Sequence, residues 1–318
     1  MSAIFRMRDW WARWPPAAGA AVMGTGMISI GLHLTGFAVL SGIALVLASL
    51  GWLVLAAGFG VRLVRERDRW LREAGMPAGL TAVAATATLG TRCSALGLQE
   101  LAEALLALSV LWWPVLQCTV FLNRRPRMPG GVFLICVATQ ALSALAVSIA
   151  VTGHVMWLLY AALVLFWLGL AQYAVALSRF HLDELRQGAG DHWIAGGALG
   201  SSALAGARLV DVRHVAPYAW NDDDQNVLRR VSVVLIVLAL ALLCVLALAE
   251  VIRPRPGYDV RRWATVFPIA VTATGTLSVA TALGLSGFRP LGEALLWLAV
   301  AVWVIVAAGT ARAAARST

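Results

Sequence analysis

Residues 261–287 read RRWATVFPIAVTATGTLSVATALGLSG, an apolar segment interrupted at Pro268. At about 1.5 Å per residue such a run is long enough to cross the roughly 30 Å hydrocarbon core of a bilayer. It carries hydroxyls and glycine where a lipid-facing helix carries leucine, so something other than lipid is expected beside it. Helical spacing puts Phe267, Thr274, Ser278 and Thr281 on one stripe, a single ring heading a small hydroxylated face. Pro268 takes one N–H out of the helix ladder and is expected to bend the helix beside Phe267.

The rest of the chain has the same character. Of 318 residues 60% are hydrophobic and 13% charged, with a mean hydropathy of +0.80, the composition of a polytopic membrane protein. All 25 basic residues are Arg, and with 16 acids they give a net charge of +9. Such a balance in a soluble domain would suggest nucleic acid. Here the arginines lie in short loops between apolar runs, where they set membrane orientation, so no nucleic-acid partner is expected. Cys93, Cys118, Cys136 and Cys244 are scattered, mostly within apolar runs, and form no disulfide or zinc pattern.

Working outward from 261–287, spans fall at about 15–35, 38–61, 77–92, 98–121, 131–152, 154–178, 192–208, 227–250, 263–286 and 290–311, ten in all. Residues 1–14, MSAIFRMRDWWARW, form a short basic N-terminus with an interfacial tryptophan belt, and 312–318 a short tail. The whole chain, 1–318, then reads as a single transmembrane domain. With the N-terminus in the cytoplasm, 19 of the 25 arginines fall on the cytoplasmic side. This asymmetry predicts that both termini face the cytoplasm, in a plasma (inner) membrane.

Odd and even spans differ in content. Even ones are rich in Leu, Val and Trp, as in Val233–Ala249, whereas odd ones are rich in Gly, Ala, Ser and Thr. The fold expected is therefore all-α: ten transmembrane helices as five hairpins, with an inner ring of odd helices around a central pore and an outer ring of even ones. Small residues also serve plain tight packing. The bias shared by five helices favours a path, and the faces expected to line it carry Gly24 and Gly31, Thr81, Thr88 and Arg92, Thr139 and Ser143, and Gly196 and Gly200, with Thr274, Ser278 and Thr281 from the ninth span.

Groups able to do chemistry together are scarce. The loop Arg179–Arg186, RFHLDELR, reads as a solvated charged loop. Asp222, Asp223 and Asp224 precede the eighth span, where acids suit a helix N-terminus, and Glu100, Glu103 and Glu293 are placed alike. With no Lys there is no Lys-containing phosphate loop, and there is no HExxH. No enzyme activity, cofactor or metal is expected. The odd spans lack an acid or histidine near their centres, where proton relays sit. Passive anion movement is favoured over pumping, with a proton-coupled porter using His33 or His154 as the alternative.

Met23-Gly24-Thr25-Gly26 in the first span, Asp191-His192-Trp193-Ile194 leading into Gly196-Gly197-Ala198-Leu199 in the seventh, and Trp263 with Phe267-Pro268 in the ninth resemble the tellurite-resistance/dicarboxylate transporter family. That family is related to the slow-type anion channels and to yeast malate and sulfite transporters. The resemblance implies five hairpins around a pore, a homotrimer with one pore per subunit, and a ninth-helix phenylalanine occluding that pore. By its place between Trp263 and Pro268, Phe267 takes that role here. The implied substrates are small anions, among them C4-dicarboxylates such as malate, sulfite, inorganic anions and tellurite-related species. After the proline this chain continues Ile269-Ala270-Val271, unlike many relatives, which leaves the choice among them open.

Overall fold

The computed structural model describes residues 18–122, 128–181, 190–216, 219–252 and 260–316. These residues form eleven α-helices: α1 Gly19–Leu34, α2 Ala38–Arg65, α3 Arg67–Ala74, α4 Thr81–Ala95, α5 Gln99–Leu122, α6 Leu134–Gly153, α7 Met156–Arg179, α8 Ile194–Asp211, α9 Asp222–Ile252, α10 Trp263–Leu283 and α11 Phe288–Arg316. Among the described residues there is no β-sheet, only an isolated parallel bridge between Met128 and Phe180. Short 3₁₀ turns lead into α4, α6, α8 and α10.

Ten of these helices match the expected spans to within a few residues, and α3 is an addition. Its sequence RDRWLREA is charged and too short to cross a bilayer. It forms because Trp70 and Ala74, one turn apart, bury one face while Arg69 reaches Glu66 and Glu73 along the other. The ten-span expectation is also met unevenly. Seven helices (α2, α5, α6 with its leading turn, α7, α9, α10 and α11) are long and apolar enough to cross a membrane. Helix α1 is apolar but only 16 residues long. The remaining two, α4 and α8, dilute their apolar residues with Thr, Ser, Gly and Arg.

Packing separates two classes of helix. In the most apolar stretch of α6 94% of residues are buried, and in that of α10 83%, against 17% for both α2 and α11. Helices α1, α4 and α8 are buried along nearly their whole length. Each of the five buried helices touches two others, in the order α1, α4, α6, α8, α10 and back to α1. Each also packs on the long helix that follows it, α1 on α2, α4 on α5, α6 on α7, α8 on α9 and α10 on α11. The outer members present large exposed side chains, such as Val39, Val64, Leu122 and Val251, of the kind that lipid accepts.

Buried hydroxyls are largely satisfied by their own helices. Thr88, Thr91, Thr274 and Thr276 each donate to the carbonyl four residues back, at 2.7–2.9 Å. Others anchor the outer layer. The indoles of Trp52 on α2, Trp113 on α5 and Trp303 on α11 donate to Thr86 on α4, Thr139 on α6 and Thr25 on α1, at 2.8, 2.9 and 2.8 Å. Each bond ties a long, mostly exposed helix to a buried helix other than the one it follows in the chain.

At the start of α9, Asn221 Oδ1 accepts from the Asp224 N–H at 2.7 Å, and Asp222, Asp223 and Asp224 fill the first turn. This is the helix-terminal arrangement expected for these acids. The loop 182–189, which holds most of RFHLDELR, lies outside the described residues, as do 1–17.

Candidate functional site

Where the five buried helices meet, they enclose a cavity of about 10 Å³, room for roughly one water. Four of the helices contribute side chains at helical spacing, and the fifth a single ring. Met23, Met27 and Ile30 come from α1, Ala84, Thr88 and Thr91 from α4, and Ser201, Leu204 and Arg208 from α8. Val137, Gln140, Ala141 and Ala144 come from α6, and α10 contributes Phe267. Each stripe spans seven positions, about 10 Å of helix, so the lining is elongated along the helices.

Phe267 belongs to the first turns of α10 and Arg208 to the last turn of α8. The α8 stripe begins at Ser201, about one turn from the phenylalanine's neighbour Gly197, and ends at the arginine. Phe267 is 1% exposed. Its ring lies against the α8 backbone and its own backbone against α1: a Cβ on Gly197 would stand 2.9 Å from its Cε1, and one on Gly24 would stand 3.3 Å from its N. Glycine at both positions is what lets α1 and α8 close on this turn of α10. Pro268 lies within the continuous helix, its ring also against Gly197.

Arg208 lines the cavity and also a second one of about 110 Å³, bounded by Ser94, Ser148, Thr152 and Asp211 among others. No carboxylate comes within ion-pairing distance of its guanidinium among the described residues. The hydroxyl of Ser201 and Oε1 of Gln140 are buried without hydrogen-bond partners, while Gln140 Nε2 donates to the Phe166 carbonyl at 3.0 Å. The cavity therefore offers one cation, one free hydroxyl donor and an apolar floor of Met, Leu and Phe. That chemistry suits a small anion better than a cation.

Of the residues expected to line a path, Thr88 and Phe267 reach this cavity. Gly24 and Gly31 meet α10, Gly31 also meeting Leu296 of α11, and a Cβ on Gly200 would stand 3.2 Å from the Thr272 backbone. Gly196 faces Leu242 and Leu246 on α9, and Thr81 packs on Gly19. Thr139 donates to Gln172 Oε1 at 2.6 Å, and Ser143 to the Ala162 carbonyl at 2.8 Å, both towards α7. Thr274 bonds the Met27 carbonyl at 3.1 Å, Ser278 is buried without a partner, and Thr281 is exposed with its hydroxyl on the Leu277 carbonyl.

Arg92 is 3% exposed, and its Nε and Nη2 donate to Ser41 Oγ on α2, at 3.3 and 3.1 Å. Ser41 in turn exchanges hydrogen bonds with Ser29 on α1. Nη1 of Arg92 is buried and unpartnered. His33 stands within electrostatic reach of both Arg92 and Arg208.

Met23, Met27, Gln140, Ser201 and Arg208 line the cavity without being among the residues expected to do so. The signal was present as i, i+4, i+7 stripes, but lay one position away from the small-residue stripe on α1. On a helix buried all round, composition does not say which stripe faces a cavity and which a neighbour.

No curated protein matches the chain. The family model described as voltage-dependent anion channel, SLAC1, matches residues 13–311, nearly the whole length. With its apolar helices, its layered packing and a cavity that offers a cation to an anion, the chain is a multi-pass membrane protein and belongs to the SLAC1 voltage-dependent anion channel family.

Proposed function

We propose that this chain conducts small anions along the axis enclosed by α1, α4, α6, α8 and α10, which form an inner ring around a pore, with α2, α5, α7, α9 and α11 as the outer ring. The carrying observation is the cavity that all five helices line, with Phe267 and the unpaired Arg208 both on its wall. Arg208 concentrates anions at the second, larger cavity, Ser201 replaces part of their hydration, and Phe267 closes the path. In this closed form a channel with room for about one water excludes ions by refusing to hydrate them. Opening requires the Phe267 ring to leave the axis.

Transport, rather than catalysis, is the reading throughout. The ten-span topology, cytoplasmic termini, an inner-membrane location and a homotrimer with one pore per subunit complete it, the trimer resting on the family resemblance. The substrate classes are inorganic anions and C4-dicarboxylates such as malate, with sulfite and tellurite-related species beside them. Reconstitution in liposomes with a panel of chloride, nitrate, sulfite, malate and tellurite tests this. Flux whose reversal potential follows the anion gradient supports a channel. Uptake driven by a pH gradient replaces it with a proton-coupled porter, and absence of flux for every anion overturns it.

A further inference from the structure

Away from the axis, a cleft of about 290 Å³ opens between the first two hairpins, nearly twice the roughly 150 Å³ of a cavity that holds benzene. Its walls are α2 from Trp52 to Leu63 and α5 from Leu108 to Trp112, with α4 from Thr81 to Thr86 behind them and α3 across one end. The α2 wall spans about 16 Å along the helix axis, close to half the roughly 30 Å hydrocarbon core. The cleft therefore runs from the arginine-rich side to about the bilayer midplane.

The two ends differ. The deep end is aliphatic and aromatic apart from Ser109, whose hydroxyl is buried without a partner, and Thr86, whose hydroxyl is taken up by the Trp52 indole and the Ala82 carbonyl. At the shallow end Trp70 is 7% exposed, held edge-on between Phe59 and Trp112 at 5.6 and 5.8 Å, yet its Nε1 is buried without an acceptor. A buried indole N–H normally finds a partner. Beside it Arg62 and Glu73 pair at 2.7 Å. Around this end Arg65, Arg67 and Arg72 are exposed and make no ion pair among the described residues.

We propose that this cleft binds one acyl chain of an anionic phospholipid from the arginine-rich leaflet. Its length matches one leaflet's hydrocarbon depth, and its apolar walls accept methylenes. The Trp70 Nε1–H donates to the ester carbonyl at the head of the chain, and the unpaired arginines meet the phosphate. The site lies off the conduction axis, so it stands whether or not the chain conducts.

Gly60 is the means of testing it. It lines the cleft, a Cβ there would meet nothing within 4 Å, and its backbone is not in the left-handed region. Gly60→Phe should thus fill the cleft without disturbing the fold, whereas Trp70→Phe keeps a ring and removes the donor. Native mass spectrometry of the full chain, titrated with phosphatidylglycerol, phosphatidylcholine of the same chains, or free oleate, reads the occupancy.

One phosphatidylglycerol retained per chain is expected, abolished in Gly60→Phe and weakened about fivefold in Trp70→Phe, the usual worth of one hydrogen bond. A thermal melt with and without lipid provides a second readout, in which only the wild type gains from phosphatidylglycerol. Retention unchanged in Gly60→Phe overturns the site. Equal retention of phosphatidylcholine overturns the anionic headgroup, and retention of oleate alone points to a free fatty acid instead. Failure of the folded wild type to retain any of the three, as when a second copy's helix covers the cleft, also overturns it.

Discussion

The ring of Phe267 rests against a missing side chain: a Cβ on Gly197 would stand 2.9 Å from Phe267 Cε1 and 3.1 Å from Pro268 Cγ. The residue read as the gate is thus positioned by the absence of atoms on α8, and any atom added there presses on it. Phe267→Ala should raise anion flux in liposomes severalfold while the protein stays folded. If the ring is only packing, its truncation lowers the melting temperature, at a cost of about 3–5 kcal/mol, and leaves flux unchanged or reduced.

Adding that side chain supplies a complementary test. Gly197→Ala should destabilise by about 1–3 kcal/mol, because the methyl overlaps the ring. Combining it with Phe267→Ala should recover most of that loss, since the overlapping atoms are gone. Additive losses in thermal melts of the single and double variants would show that the ring is not what Gly197 accommodates.

Arg208 and Arg92 should behave differently. Arg208 lines both cavities, so Arg208→Gln should lower anion conductance more at low salt than at high salt, as screening shortens the reach of its charge. Arg92 is tied to Ser41, so Arg92→Gln should mainly lower stability, by about 1.5–3 kcal/mol for the lost charged hydrogen bonds. A double-mutant cycle with Ser41→Ala measures this coupling. A strongly salt-dependent conductance loss in Arg92→Gln would instead assign Arg92 to the path.

Orientation is tested by labelling exposed positions. Asp223→Cys should react with a membrane-impermeant maleimide in intact cells, and Asp68→Cys only after lysis. The reverse pattern would invert the topology and undo the arginine argument.

The tryptophan latches are expected to be structural. Trp113→Phe removes the indole bond to Thr139 and should cost about 1 kcal/mol in thermal melts without altering anion selectivity. A change in selectivity would bring Thr139 back to the path.

The class of the molecule is legible in composition and spacing alone. Long runs such as Val233–Ala249 have no soluble use, arginines collect on one side, and leucine-rich spans alternate with Gly, Ala and Thr spans. These features are legible because the partition between lipid, protein and water depends on side-chain composition summed over a helix. The motif around Phe267 was legible for a related reason, since proline and a bulky ring are conspicuous among small residues. Tertiary structure decided which stripe of each inner helix faces the cavity. Helix α1 is buried around its circumference, so Met23 and Gly24 are equally apolar choices one position apart. Only the approach of α10 assigns the glycine to the contact and the methionine to the cavity. It also showed that most inner-helix hydroxyls serve their own carbonyls or a tryptophan of the outer layer, and that Arg208 stands without a carboxylate partner. Those outcomes depend on where neighbouring backbones come to rest, and helical periodicity carries no information about that.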